Sequence, residues 1–208
     1  MKKLTIPYKP RELQKQIHEQ LKRFNVLVCH RRFGKTVLCI NEMIKKCLQN
    51  PLPNPRYYYI SPTYSISKRN CWDYLKYYTN VLPDVQYHET ELRCDLPNGG
   101  RIQLLGCERP DTLRGLYMDG CVLDEVSQMP PRLWTEIVRP ALTDREGWMV
   151  AIGTPAGHNA FFTLFDYAMH NENWFAKSYK ASETNIVAKE ELEEAKKTYA
   201  SRDIRGRV

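Results

Sequence analysis

The 208-residue sequence has seven cysteines, at 29, 39, 47, 71, 94, 107 and 121, but no Cys-x-x-Cys pair. An odd number without paired spacing supplies neither a disulfide framework nor a zinc site. With Cys39 and Cys121 set in apolar runs, it predicts buried thiols in a reducing compartment. The five histidines, 18, 30, 88, 158 and 170, show no metal-ligand spacing. No apolar run is long enough to cross a bilayer, and the two N-terminal lysines precede no apolar signal core. The expectation is a soluble, cytoplasmic protein with no membrane partner. Internal repeats and low-complexity linkers are also missing, which leaves one sizeable domain with at most a small appendage. At 42% hydrophobic and 26% charged residues the composition is that of an ordinary globular chain. The net charge of +7 suits a polyanion such as nucleic acid and suits a plain solvated surface equally well.

Short apolar runs alternate with amphipathic stretches. Leu13, Ile17 and Leu21 stand four apart, which predicts a helix over RELQKQIHEQLKRF. NVLVC, GCVLDE and GWMVAIG read as strands buried on both faces, RYYYISP and WFAKSYKA as further strands. Helices are predicted after Gly34 up to Asn50-Pro51, over YSISKRNCWDYLKYYTNVL up to Pro83, over PPRLWTEIVRPAL, over HNAFFTLFDYAMH and over VAKEELEEAKKTYA. Pro97-Asn98-Gly99-Gly100 between alternating stretches signals a hairpin. The fold class is therefore α/β, a mostly parallel sheet flanked by helices, with candidate sites at the carboxyl ends of its strands.

Three such ends carry chemistry. NVLVCHRRFGKT ends in Gly34-Lys35-Thr36, a phosphate-loop ending in the required strand-to-helix context, but Cys29 occupies the place of the usual first glycine. Lys35 would reach the outer phosphates and Thr36 would offer a hydroxyl to magnesium; the alternative is a basic turn before an ordinary helix. CVLDE ends a buried strand in adjacent acids, with Asp124 suited to Mg²⁺ and Glu125 to polarising a water. The alternative is a strand leaving the core. In AIGTPAG, Thr154 places a hydroxyl near the same edge. Two further residues are candidates: Arg114, before Gly115 in DTLRGLYMDG, to contact phosphate, and Gln14 to pair with an adenine edge. A surface arginine and a solvated glutamine are their bland readings. A phosphate loop followed by an acid pair, each after a buried strand, argues for an NTPase using ATP and Mg²⁺.

These segments, in this order from Tyr8 to Tyr199, resemble the ATPase domain of the large terminase subunit of tailed bacteriophages. The resemblance implies a P-loop NTPase of the ASCE, RecA-like kind, with a core over 1–180 and a lid segment over 181–208. It implies an ATP site of Gln14, Arg31, Arg32, Phe33, Gly34, Lys35 and Thr36, with Thr36 and Asp124 as metal ligands and Glu125 as the catalytic glutamate. It further implies an orienting Arg31 within the loop, a coupling role for Thr154, and a neighbour-reaching finger in Arg114, with the opposite division between the two arginines left open. The implied work is ATP-driven translocation of double-stranded viral DNA into a procapsid. A ring of five subunits, monomeric in isolation, would sit with portal protein and small terminase subunit at the portal vertex in the host cytoplasm. Large terminases continue into a nuclease domain; the sequence stops at Val208, and nuclease activity is not expected of it alone. Two rival readings remain: a helicase-like DExx lobe, which needs a second motor half, and a non-catalytic nucleic-acid binder with a decayed nucleotide site.

Overall fold

The computed structural model describes residues 5–154, 157, 159–186, 188, 190, 191, 193 and 194. Most of the helix expected at 187–200 and most of the lid expected at 181–208 thus lie outside the described residues. Eight strands form one sheet in the order β3-β4-β5-β2-β6-β7-β1-β8. In chain order they are β1 (Phe24–Cys29), β2 (Arg56–Ser61), β3 (Gln86–His88), β4 (Arg93–Asp95), β5 (Arg101–Gly106), β6 (Gly120–Asp124), β7 (Trp148–Gly153) and β8 (Trp174–Tyr179). The six strands from β5 to β8 in that order pair in parallel, and β3 and β4 add an antiparallel edge.

The central strands lie where their apolar runs require. All residues of β6 and β7 are buried, as is all of β1 except half-buried Val28. The one polar residue within β1, Asn25, is fully buried and fully used. Its Nδ2 donates to the carbonyls of Lys22 (2.8 Å) and Met149 (2.9 Å), and its Oδ1 accepts from the Lys22 amide. A buried side chain that satisfies three backbone groups fixes where β1 starts against β7.

Helices cover both faces. α1 (Glu12–Gln20), α2 (Lys35–Gln49), α3 (Tyr64–Ser67) and α4 (Asp73–Thr79) precede β3; α5 (Arg139–Ala141), α6 (Ala160–Met169) and α7 (Ala181–Thr184) follow β6. Ile17 of α1, Leu38, Ile40 and Met43 of α2 and Leu75 of α4 pack in one core with Tyr59, Val122 and Ile152. Phe161 and Ala168 of α6 share a second core with Val26, Leu123 and Ala151, on alternate positions of the same strands.

Three details depart from the sequence reading. The helix expected up to Pro83 ends at Thr79 and passes through a π-helical turn, Lys68–Trp72, between α3 and α4. The helix expected over PPRLWTEIVRPAL is π-helical over Leu133–Val138 before the short α5; Pro140 lacks the N–H that an α-helical bond to Glu136 would need. The three-residue strand β3 is too short for its periodicity to register. The hairpin falls as expected, with the Leu96 amide bound to Gly100 O and Gly99 at φ +78. Among the described residues no helix is long and apolar enough to cross a membrane, and all seven cysteines are buried, free thiols. Asn25→Ala leaves three backbone groups to find new partners in a dry strand. It is expected to cost about 2–4 kcal/mol, read as a lower urea midpoint with an unchanged slope.

Candidate nucleotide site

Parallel register brings the candidate residues to one edge. Leu27 pairs with Ile152 across β1 and β7, and Ile152 pairs with Asp124 across β7 and β6. Two strand spacings, about 10 Å, therefore separate the end of the acidic strand from that of the loop strand. β7 runs between them, so Thr154, the residue after β7, stands between the two ends.

The loop after β1 is built without a glycine at position 29. Cys29 is the last residue of β1, wholly buried, and burial pushes its thiol up to about 12 against the pull of Lys35. The left-handed residues are Arg32 (φ +66) and Gly34 (φ +91). At Gly34 a Cβ would lie 2.9 Å from both Arg11 Nη2 and Gln14 Nε2, so glycine is demanded there by conformation and by space. Phe33, expected in the ATP site, turns inward instead. It is 1% exposed, 4.9 Å from the Tyr179 ring and 5.7 Å from the His30 ring by centroids. Its side chain anchors the loop, while Arg31 and Arg32 face solvent. His30 ties the loop to the segment after β8, through its amide to Tyr179 O (3.1 Å) and Nε2 to Thr184 Oγ1 (2.8 Å).

Lys35 opens α2, and its Nζ donates to the carbonyls of Cys29 (3.1 Å) and His30 (3.4 Å). The ammonium is thus folded into the loop that would receive phosphate. Thr36 follows, half-buried, beside the unpaired first-turn amides of α2. Gln14 is 4% exposed, so the solvated reading fails. Both ends of its amide are engaged by the chain: Nε2 donates to Gly34 O (3.2 Å) and Oε1 accepts from the Arg11 amide (2.9 Å). Each end keeps one further hydrogen or lone pair, which is what an adenine edge would use.

Asp124 is 4% exposed and accepts a hydrogen bond from the Tyr59 hydroxyl at 2.9 Å. Burial raises its pKa from 3.8 to about 6, reinforced by the neighbouring Glu125 and opposed by Tyr59 and Lys35. Glu125 takes a left-handed conformation, φ +56, costly for a side chain of that kind. It accepts from Thr154 Oγ1 at 3.3 Å. Arg114 lies apart from this cluster on an exposed surface. Its guanidinium pairs with Asp111 (2.9 Å) and Glu136 (3.2 Å), and Arg132 also pairs with Asp111 at 2.9 Å.

Among the described residues no three of His, Cys, Asp and Glu come together as a metal cage. The candidate donors are hard oxygens, the buried Asp124 carboxylate and the half-buried Thr36 hydroxyl. They fit an Mg²⁺ that takes the rest of its shell from phosphate and water. Sequence reasoning missed Tyr59, which stands on β2, 65 residues from Asp124. It also missed Arg11; neither residue belongs to a local motif.

No family model matches the chain. Its sequence is 28% identical over 177 residues to the large terminase subunit of Thermus phage G20c, covering 76% of this chain and 36% of that protein. A large terminase subunit of Thermus virus P23-45 matches to the same extent, so the chain spans about a third of the length of the curated relatives it matches. Among solved structures, the large terminase ATPase domain of Thermus phage P74-26 superposes with a TM-score of 0.76 at 22% identity, covering 96% of this chain and 89% of that one. The large terminase of another thermophilic bacteriophage, in complex with ADP, superposes with a TM-score of 0.69 at 16% identity, covering 84% and 44%.

The ionisation of Asp124 has a measurable cost. Its native pKa stands above the unfolded value of 3.8, so the native state holds the extra proton between about pH 4 and 6 and loses that advantage as pH rises through 6. A shift of this size corresponds to about 3 kcal/mol. In metal-free buffer Asp124→Asn is expected to melt roughly 5–10 °C above the parent at pH 7.5 and level with it near pH 4. An equal difference at both pH values contradicts the assignment. This chain has the mostly parallel, RecA-like fold of phage large-terminase ATPase domains and a sequence similar to that of the large terminase subunit.

Proposed function

We propose that this chain hydrolyses ATP and that hydrolysis drives double-stranded DNA into a procapsid, as the motor domain of a large terminase. The observation that carries this reading is the meeting of Lys35, Asp124, Glu125 and Thr154 across β7. An isolated phosphate loop or a strand merely leaving the core would not bring these four groups together. The structures of the thermophilic-phage large terminase with ADP and with ATP-γ-S support the same use of the fold.

In this reading the Lys35 ammonium leaves the Cys29 and His30 carbonyls for the β and γ phosphates, and the first amides of α2 complete the cradle. Arg32, Phe33 and Gly34 contribute backbone to that cradle, and Arg31 orders the phosphates from within the subunit. Thr36 and Asp124 would hold Mg²⁺, which supplies charge neutralisation on the phosphates when bound. Glu125 orients the attacking water and takes its proton; its bond to Thr154 links the base to the turn after β7, the coupling element. Gln14 reads the adenine edge. Arg114 serves a neighbouring subunit, where a finger of this kind accelerates turnover by ~10³–10⁵-fold. Its exposure and its separation from its own acid cluster suit that role.

The assembled form is a five-membered ring around DNA at the portal vertex in the host cytoplasm, with portal protein and the small terminase subunit as partners. Residues 1–180 form the core and 181–208 begin the lid. The exposed Lys68 and Arg69 are candidates for the DNA-facing surface.

Two measurements test this reading. ATP at 100 times its Kd is expected to stabilise the protein by about 2.7 kcal/mol. Glu125→Ala keeps that stabilisation while turnover collapses; near-parental turnover sinks the base assignment, and no stabilisation of the parent favours the decayed-site binder. For Arg114, the variants Arg114→Ala and Glu125→Ala are each inactive and are mixed across a range of ratios. Partial return of ATPase activity marks a finger acting between subunits, because some hybrid sites then hold both residues. No return at any ratio means that Arg114 does not act in trans.

A further inference from the structure

α1 is fastened to the phosphate-loop unit at two points, and the second is a buried hydrogen-bonded chain that the nucleotide chemistry does not use. His18 Nδ1 lies 2.6 Å from Glu42 Oε2, and His18 Nε2 lies 3.0 Å from the Tyr8 hydroxyl. Glu42 belongs to α2 and is 2% exposed. Its other basic neighbour is Lys45, whose Nζ is 3.8 Å from the same oxygen. A carboxylate so deeply buried is sustained by its partners, and here the close partner is on another helix.

The spacing on both helices gives this chain its meaning. Gln14 and His18 are four residues apart, so they leave the same face of α1 one turn apart, with wholly buried Ile17 beside them. Gln14 grips Gly34 O, immediately before α2 begins. His18 grips Glu42, seven residues into the helix from Lys35, or about 10 Å along its axis. One face of α1 thus spans the first two turns of α2 as a strut, with Arg11 and Gln14 lying over Gly34 at its upper end. A nine-residue helix has little stability of its own. Its seat is set by these attachments, and the seat in turn sets where the Gln14 amide stands.

We propose that His18, oriented by Tyr8 and Glu42, is a positioning residue for the phosphate loop. It seats α1 so that Gln14 holds the Gly34 carbonyl and the first amides of α2 at one fixed place. The nucleotide consequence rests on the ATP reading above, but the positioning itself does not.

The test uses His18→Ala, His18→Gln and the double variant His18→Leu/Glu42→Leu. The double variant removes the buried carboxyl group together with its partner, so a well-folded protein without the hydrogen-bonded chain is obtained even where His18→Ala melts. Amide hydrogen exchange at Leu38, whose N–H donates to Gly34 O at 3.1 Å, reads the loop without nucleotide. A fluorescent ATP analogue and steady-state ATPase assays read Kd, KM and kcat. In His18→Ala and the double variant, exchange at this amide is expected to rise about tenfold and KM for ATP about tenfold, with kcat within about twofold. His18→Gln can donate to Glu42 and accept from Tyr8, and is expected to recover most of both effects. Parental exchange and parental KM in a folded double variant would overturn the proposal while leaving the ATPase reading intact. Faster exchange in a protein whose parent form binds no ATP analogue would instead sink the ATPase reading and leave the positioning role standing.

Discussion

A carboxylate that folding strips of water, Asp124, governs the layout of the sheet's carboxyl edge. It ends a strand buried on both faces, so it cannot turn to solvent. Its neighbours answer from three directions: the Tyr59 hydroxyl from β2, the Lys35 ammonium from α2, and the adjoining backbone from the turn that begins at Glu125. These do not fully replace hydration, and the raised pKa measures the shortfall. A site that stays electrostatically unfinished in the protein alone is one that a divalent cation and a polyphosphate can complete. The same residue is thus a liability for stability and the point on which binding would act.

The lysine shows the complementary arrangement. Lys35 has its ammonium on two carbonyls of the loop in which phosphate would sit. Those bonds keep a half-buried cation solvated by backbone dipoles, and they hold the side chain over the loop. Charge and countercharge stand about two strands apart with β7 between them. The Thr154–Glu125 bond spans the half of that gap between β7 and β6. Any displacement of Thr154 therefore reaches Glu125 directly.

Much of this was legible in sequence because it follows from local rules. Strands buried on both faces read as unbroken apolar runs, and β1, β6 and β7 announced themselves that way. The loop and the acids could be placed because each sits at a strand's end. What was not legible depends on register between distant segments. The Tyr59–Asp124 bond joins residues 65 apart, on strands paired by a topology that no single stretch encodes. Asn25 looked like part of an apolar strand, and its role emerged only once β7 lay beside it. Gln14 and Phe33 were each singled out from the sequence, but both are turned toward the protein: one holds Gly34, the other packs under Tyr179. The π-helical turns escaped because apolar spacing does not distinguish a widened turn from an ordinary one.

The missing glycine resolves on the same grounds. A loop of this kind needs left-handed residues where the chain reverses, and in this protein the reversal falls at Arg32 and Gly34, leaving Cys29 as ordinary strand. Arg32 adopts that conformation at some cost, and the cost is met by what it does to its neighbours. With Arg32 left-handed, Phe33 swings into the core against Tyr179 and His30, while Arg31 and Arg32 are left on the surface. Glu125 repeats the device at the end of β6, where a left-handed residue halts the strand and its side chain meets Thr154. Strain at these two non-glycine positions turns the Arg32 side chain out to solvent and the Glu125 side chain onto Thr154, and the buried Phe33 holds the first of these in place. A glycine at either position would relieve the backbone and lose the charged side chain that the conformation presents.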